Sequence, residues 1–149
     1  MSRWVKALVT VGGVGYLPAS GTAASVLTVL AVAAVPSPWA DPALFLASCC
    51  GFFLCAPAVQ ILESRDPSCF VLDEVCGMSL ALLGISLNMP RMLFGLLLFR
   101  FFDIVKPLGI RRLDQWKHPA SIMLDDFAAG LYANGVLRIA MVIWPGVFR

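Results

Sequence analysis

Five mostly apolar segments, separated by short polar stretches, dominate the chain. In order they run over Thr22–Val35, Ala43–Leu62, Phe70–Leu87, Met92–Val105 and Ile122–Trp144. None of them alternates apolar and polar residues as a half-buried strand does, and only helices or closed barrels can cross a membrane. A spanning helix needs about 20 apolar residues, so the first segment is short while the second and fifth are long enough. The pattern predicts an all-α fold: a small polytopic membrane bundle of about four to five apolar helices, forming a single domain over residues 1–149.

The composition agrees with a membrane-embedded chain. Hydrophobic residues make up 60% of the sequence and charged residues only 13%, whereas about a quarter of the residues in soluble domains are charged. The formal net charge of +2 is small and is not concentrated in one patch. Nothing in the charge pattern indicates a nucleic-acid partner.

Charged residues cluster at one end of three of these segments. The clusters are Asp73–Glu74 at the start of the third segment, Arg100–Asp103–Lys106 at the end of the fourth and Asp125–Asp126 at the start of the fifth. A charge at the centre of a membrane helix costs roughly 2.5–3.5 kcal/mol on insertion scales. Charges kept so close to apolar segments therefore need a partner or a function.

Threading the segments back and forth across a membrane places all three clusters on the same side. The stretch Gly15–Ser25, which is rich in glycine and hydroxyl residues, lies on that side too. Eight of the eleven basic residues also fall there, namely Arg3, Lys6, Arg65, Arg100, Lys106, Arg111, Arg112 and Lys117. Basic residues favour the cytoplasmic side, so the sequence predicts one polar site at the cytoplasmic face.

The carboxylates in these clusters have two interpretations. Each acid pair opens a predicted helix, where the helix dipole stabilises a carboxylate by roughly 0.3–1 kcal/mol. This explains one acid per helix better than two, because two charges about 4 Å apart repel by roughly 1–4 kcal/mol. Clustered carboxylates suit Mg²⁺, which prefers oxygen ligands and often binds substrate phosphate as well. We expect five acids to serve as metal ligands and in catalysis: Asp73, Glu74, Asp103, Asp125 and Asp126.

Basic side chains beside the acids indicate an anionic substrate. Arg100 and Asp103 are three residues apart on one predicted helix, and so are Asp103 and Lys106. One interpretation is a pair of local salt bridges worth about 0.2–0.5 kcal/mol each. Next to a metal site we favour a phosphate clamp, in which Arg100 is a bidentate fork and Lys106 a point charge.

The stretch Gly15–Ser25 leads into the first predicted helix and also has two interpretations. Ser20 or Thr22 could act as the N-cap of that helix. The same geometry would offer backbone N–H groups and the hydroxyls of Thr22 and Ser25 to a phosphate.

A metal site and a phosphate clamp at membrane depth imply a phosphorylated lipid head group as the substrate. The chemistry would be phosphoryl transfer or hydrolysis, with metal-activated water as the preferred nucleophile and direct carboxylate attack as the alternative. A different interpretation is a small transporter or channel subunit that uses the clustered acids for cation or proton passage. Such a path needs polar groups through the whole membrane depth, whereas here they gather at one face.

Three blocks of the chain resemble the bacterial phosphatidylglycerophosphatase A family. They are Gly15–Ser25 (GYLPASGTAAS), Asp66–Gly77 (DPSCFVLDEVCG), and Phe99–Pro107 (FRFFDIVKP) with its continuation to Ile122–Gly130 (IMLDDFAAG). In order and spacing they cover most of the chain. The first block of the family usually reads Pro-Gly-Thr-x-Gly-Ser, and this chain has Ser20 in place of the proline and Ala24 in place of the second glycine.

The resemblance implies a Mg²⁺-dependent, multi-pass phosphatase of the bacterial inner (cytoplasmic) membrane with its active site facing the cytoplasm. Its partner would be a phospholipid: the reaction converts phosphatidylglycerophosphate to phosphatidylglycerol and phosphate in glycerophospholipid biosynthesis. The acidic positions of the family fall on the five acids named above and on Asp66. Its basic positions fall on Arg100, Lys106 and Arg111, which together with Thr22 and Ser25 are the expected phosphate-binding residues.

Overall fold

The computed structural model describes residues 3–35, 37–61, 69–116 and 121–149, and every regular element within these ranges is helical. The helices are α1 (Arg3–Val9), α2 (Ser20–Ala33), α3 (Ser37–Ile61), α4 (Leu72–Leu82), α5 (Met89–Val105), α6 (Ile110–Asp114) and α7 (Ser121–Ile143). A single 3₁₀ turn over Val14–Tyr16 lies between α1 and α2. The predicted all-α class is confirmed for the described residues.

Helices α2, α3, α5 and α7 correspond to four of the predicted segments, but the third segment is shorter than expected. Helix α4 ends at Leu82 and not near Leu87, because Leu83 turns extended and Gly84 adopts a φ of 66°. That left-handed conformation costs glycine little. The short helices α1 and α6 are additional elements that the apolar pattern did not predict.

Helix α4 lies at the centre of the bundle and packs against α2, α3, α5 and α7. Its approach to α7 is close because both helices present glycine at the crossing. A Cβ on Gly77 would lie 2.7 Å from the carbonyl oxygen of Asp126, and a Cβ on Gly130 would collide with the backbone of Gly77. Ala81 and Ala133 are fully buried in the same interface. The expectation that small residues allow these two segments to approach closely is thus confirmed.

Side chains of α7 satisfy the carbonyl groups at the C-terminal end of α4. Asn134 donates hydrogen bonds to the carbonyl oxygens of Leu80, Ala81 and Leu83 over 2.9–3.1 Å. Arg138 donates to the carbonyl oxygens of Leu83 and Gly84, each at 3.0 Å. The last carbonyls of a helix have no intrahelical partner, so these bonds stabilise the end of α4 where it leaves the bundle.

The surface of the bundle is strongly apolar. Leu30 on α2, Phe53 on α3, Leu97 on α5 and Ile139 on α7 are all exposed. Soluble monomers rarely expose contiguous apolar patches larger than a few hundred Å². Within the described ranges α7 alone is both long and apolar enough to cross a membrane, while α2 and the Trp39–Leu54 part of α3 are apolar but shorter. A polytopic arrangement of four to five helices stays a prediction.

Candidate functional site

The first acid pair lies where α4 begins. Asp73 and Glu74 occupy the first turn of that helix, after an N-cap at Val71 that provides no side-chain hydrogen bond. The backbone N–H of Glu74 donates to Asp73 Oδ1 at 3.0 Å. The positive end of the helix dipole favours carboxylates at this position. One of the two acids would be enough for that purpose.

The second acid pair does not open its helix. Helix α7 begins by Ser121, so Asp125 and Asp126 lie in its second turn and not its first. The effect of the helix dipole falls off within the first turn. Capping therefore does not explain this pair, and the helix-dipole interpretation of the two aspartates is wrong.

Three carboxylates from α4 and α7 come together in one cluster. Oxygen atoms of Asp73, Glu74 and Asp126 all lie within 4.8 Å of one another. Asp126 is 4% exposed, and the carboxylate of Asp103 on α5 lies near it. The close crossing of the two helices at Gly77 and Gly130 is what brings Asp126 to the first turn of α4.

The N-terminal turn of α2 covers this cluster. A Cβ on Gly21 would overlap Glu74 Oε1 and would lie 3.1 Å from both Glu74 Cδ and Arg100 Nη1. Glu74 Oε2 is buried and has no hydrogen-bond partner among the described residues. An unsatisfied buried carboxylate oxygen is costly, so this atom is available to a cation.

Arg100 and Asp103 form the local ion pair that their spacing predicts. Arg100 Nη1 lies 2.7 Å from Asp103 Oδ2, and both side chains are largely buried. The contact is ionic and not a directed hydrogen bond, because Nη1 and Nε of Arg100 lack hydrogen-bond partners among the described residues. Buried N–H donors without acceptors can receive an anion that enters the site.

Lys106 pairs with residues other than the one its spacing predicts. Its Nζ lies 2.6 Å from Asp125 Oδ2 and 2.5 Å from Asp114 Oδ1, so it joins α5 to α6 and α7 and does not bond Asp103. Lys106 follows the last helical residue of α5 and adopts a left-handed conformation, with φ 48° and ψ 52°. For this reason its side chain does not share the helical face of Asp103. Burial by itself lowers the pKa of Lys106, but the hydrogen bonds to Asp114 and Asp125 more than offset this and raise it.

The remaining predicted phosphate-binding residues differ in their exposure. Thr22 is exposed on the first turn of α2, and Arg111 is exposed on α6. Ser25 is fully buried, and its hydroxyl donates to the carbonyl oxygen of Gly21 at 2.8 Å. Neither hydroxyl residue considered as an N-cap fills that role, because α2 is capped by Ala19 in a left-handed conformation without a side-chain hydrogen bond.

The structure thus gathers three of the five predicted metal ligands and pairs the other two with cations. Asp103 bonds Arg100 and Asp125 bonds Lys106, and their role as ligands stays a prediction, as does that of the phosphate-binding residues. Asp66 lies outside the described residues. The sequence analysis did not identify Gly21 or Asp114 as contributors to the site. For Gly21 the sequence offers one indication, a glycine placed inside a helix.

Comparison with known proteins gives one family and several relatives. The sequence model of the family described as Phosphatidylglycerophosphatase A matches residues 7–141. Phosphatidylglycerophosphatase A of Escherichia coli is 32% identical over 104 residues, which are 68% of this chain and 60% of that protein. Phosphatidylglycerophosphatase A of Haemophilus influenzae is 35% identical over 105 residues, which are 68% of this chain and 64% of that protein.

A relative with a different name also matches. A Bacteroides thetaiotaomicron protein named "Putative phosphatidylinositol-3-phosphatase" is 38% identical over 89 residues, 56% of each chain. The chain therefore spans between 56% and 64% of the length of these curated relatives. No solved structure matches it. Because the family model covers nearly the whole sequence, the chain belongs to the phosphatidylglycerophosphatase A family.

Proposed function

We propose that this protein is a Mg²⁺-dependent lipid phosphatase that hydrolyses phosphatidylglycerophosphate to phosphatidylglycerol and phosphate in glycerophospholipid biosynthesis. The observation that carries the proposal is the cluster of Asp73, Glu74 and Asp126 beside the guanidinium of Arg100. Membership of the family and the names of two relatives support the same activity.

The carboxylate cluster fits a Mg²⁺ ion. Hard cations of this kind take oxygen ligands, and Mg²⁺ is commonly held by one or two carboxylates together with waters and substrate phosphate. Three carboxylates that are largely withdrawn from water repel one another unless a cation lies between them. Glu74 Oε2 is buried without a hydrogen-bond partner from the described ranges, so it is the atom that most directly needs such a cation.

The metal ion and Arg100 have different roles in the proposed reaction. When bound, the ion would neutralise the phosphate and activate the attacking water. Arg100 would bind the phosphate oxygens, since its Nε and Nη1 have no hydrogen-bond partner in the part of the chain that the structure describes. The ionic contact with Asp103 fixes the orientation of the guanidinium. The bond from phosphorus to the glycerol oxygen breaks as the water oxygen bonds to phosphorus, and the proton that the water loses is balanced by the one that the glycerol oxygen takes up.

Lys106 contributes by positioning in this proposal. Because it bridges Asp125 and Asp114, it fixes the start of α7 relative to the end of α5. That contact holds Asp126, the next residue along α7, at the cluster. The positive charge beside the carboxylate cluster then comes from Arg100.

A multi-pass membrane protein with this site at the cytoplasmic face is the arrangement we propose. The exposed apolar residues on four helices support insertion into lipid. The carboxylates lie at the N-terminal ends of α4 and α7 and the C-terminal end of α5, so they share one end of the bundle. Basic residues on the same end favour the cytoplasmic side.

Phosphate release by the purified protein tests the activity. We expect release from phosphatidylglycerophosphate with Mg²⁺, none after chelation, and recovery when Mg²⁺ is restored. Phosphatidylinositol 3-phosphate belongs in the same assay because of the name of the Bacteroides relative. Faster release from that lipid would replace the proposed substrate, and no release from any phospholipid with metal present would overturn the enzyme.

Cysteine labelling in intact cells tests the orientation. In a variant without its native cysteines, a single cysteine at Lys117 should react only with reagents that enter the cytoplasm. A cysteine at Asn88, beyond the opposite end of α4, should react with impermeant reagents from outside. The reverse pattern would place the site on the periplasmic side.

A further inference from the structure

An apolar slot separates α2 from α3 and has α4 as its floor. Leu27 and Ala31 form its α2 side, Ala43 and Ala47 its α3 side, and Val75 and Ser79 its floor. The slot encloses about 280 Å³.

The wall of the slot offers no hydroxyl donor to a ligand. Two hydroxyl residues line it, and each donates its one hydrogen within its own helix. Thr28 donates to the carbonyl oxygen of Ala24 at 2.9 Å, and Ser79 donates to the carbonyl oxygen of Val75 at 2.7 Å. A hydrocarbon chain can therefore lie against this wall without leaving a hydroxyl donor unsatisfied.

The slot begins next to the carboxylate cluster. Val75, in its floor, directly follows Glu74 on α4. Along α2 the slot extends from Leu27 to Val32, which at 1.5 Å per residue is about 8 Å, and Val35 lines it just beyond the end of the helix. Gly21, which touches Glu74, precedes Leu27 by six residues, or about 9 Å along the same axis. An amphiphile whose phosphate lies at the acids could therefore reach the slot with its tail.

We propose that this slot binds one acyl chain of the phospholipid whose phosphate is hydrolysed at the carboxylate cluster. The inference rests on the proposed function for the identity of the head group. Lipid tails are as apolar as the slot, so moving a chain from the bilayer into it gains little free energy. The gain is orientation: holding the chain along α2 fixes where the phosphate lies, and misplacement of a reacting group by 1 Å can cost about 100-fold in rate.

Filling the slot tests the proposal by chain length. Ala31→Phe and Ala47→Phe insert a ring into it, and Ala34→Phe makes the same substitution at an exposed position of the α2 C-terminus outside the lining. Phosphate release is measured with a long-chain phosphatidylglycerophosphate and with a dibutyryl analogue, both in detergent micelles. We expect the long-chain to short-chain rate ratio to fall at least tenfold in the two slot variants and to stay unchanged in the control.

An equal loss on both substrates would mean that the ring disturbs the carboxylate cluster, and it would overturn the proposal. An unchanged ratio in Ala31→Phe, where the side chain is exposed and folding is least at risk, would overturn it as well. If the wild-type protein releases no phosphate from either substrate, the proposed function fails, and the slot is then judged by cross-linking alone.

Photo-cross-linking locates the chain independently of turnover. A long-chain phosphatidylglycerophosphate with a diazirine in its acyl chain is irradiated with the protein in the presence of a chelator. We expect labelled peptides from the slot faces of α2 and α3, and their labelling should drop in Ala31→Phe. Labelling spread evenly over exposed positions such as Leu97 and Ile139, or cross-links to a second copy of the chain at the slot, would overturn the proposal.

Discussion

Replacing Gly21 by alanine should lower activity without lowering stability. The added Cβ would overlap Glu74 Oε1 and lie 3.1 Å from Glu74 Cδ, so the carboxylate must move. It has to retreat by roughly 1 Å to restore ordinary van der Waals contact. The nearby guanidinium of Arg100, 3.1 Å from the same Cβ, restricts the directions in which it can go.

The turnover rate is expected to fall while the stability of the fold stays nearly unchanged. A displacement of about 1 Å in a group that holds or orients the reactants can cost about 100-fold in turnover. The backbone of Gly21 is helical and its φ is not positive, so alanine fits it. In a helix, alanine is favoured over glycine by up to about 1 kcal/mol, which should offset the cost of moving one flexible side chain.

The assay compares two glycine-to-alanine variants. Gly135 lies within α7, and a Cβ added there meets nothing within 4 Å. Phosphate release and the thermal midpoint in detergent are measured for wild type, Gly21→Ala and Gly135→Ala. We expect Gly135→Ala to keep full activity with an equal or higher midpoint, and Gly21→Ala to lose about 100-fold in activity with a midpoint close to that of wild type.

Two results would refute this reasoning. Wild-type turnover in Gly21→Ala would show that Glu74 can move without consequence, so its position beneath α2 would not matter to the reaction. A large fall in the thermal midpoint would show that the glycine is needed for packing, and the loss of activity would then have no bearing on Glu74.

Two further substitutions test the division of roles among the carboxylates. Asp126→Asn should abolish phosphate release but leave the protein folded, because it removes one of several charges that repel one another. The control Asp41→Asn, near the opposite end of α4, should stay active. Near-normal turnover in Asp126→Asn would rule out a role of Asp126 as a metal ligand. Lys106→Met should destabilise the protein by about 3 kcal/mol because it leaves the buried Asp125 without its cation, and a second change, Asp125→Asn, should recover most of the thermal midpoint. A wild-type midpoint in Lys106→Met would show that the ion pair contributes nothing.

The sequence predicts the helical class and the convergence of the acids, because both depend on features that can be read locally. Apolar segments alternate with polar ends, and each reversal of the chain returns the next charged end to the same side. Three of the five acids do meet, at Asp73, Glu74 and Asp126. They come into contact because α4 and α7 cross closely at Gly77 and Gly130. These two glycines are far apart in the sequence, so the crossing is not a local feature.

The pairing of the cations could not be predicted from spacing alone. The i to i+3 rule gives Arg100 to Asp103 correctly because both lie within α5. It fails for Lys106, which is the residue where the helix ends, and its conformation there is left-handed. A side chain at a helix end is directed by the turn that follows. Its second partner, Asp114, belongs to a helix that the apolar pattern did not predict.

The two members of the second acid pair have different surroundings for a geometric reason. Successive residues of an α-helix point about 100° apart, since 3.6 residues complete a turn. Within a regular helix such as α7, Asp125 and Asp126 therefore face different neighbours: one bonds Lys106, and the other joins the carboxylates of α4. Asp73 and Glu74 both reach the cluster although they are also adjacent in a helix. They lie in the first turn of α4, at one end of the bundle, and the longer glutamate side chain can extend towards its neighbour. An acid pair inside a helix thus provides one group for the cluster and one group to anchor the helix that carries it.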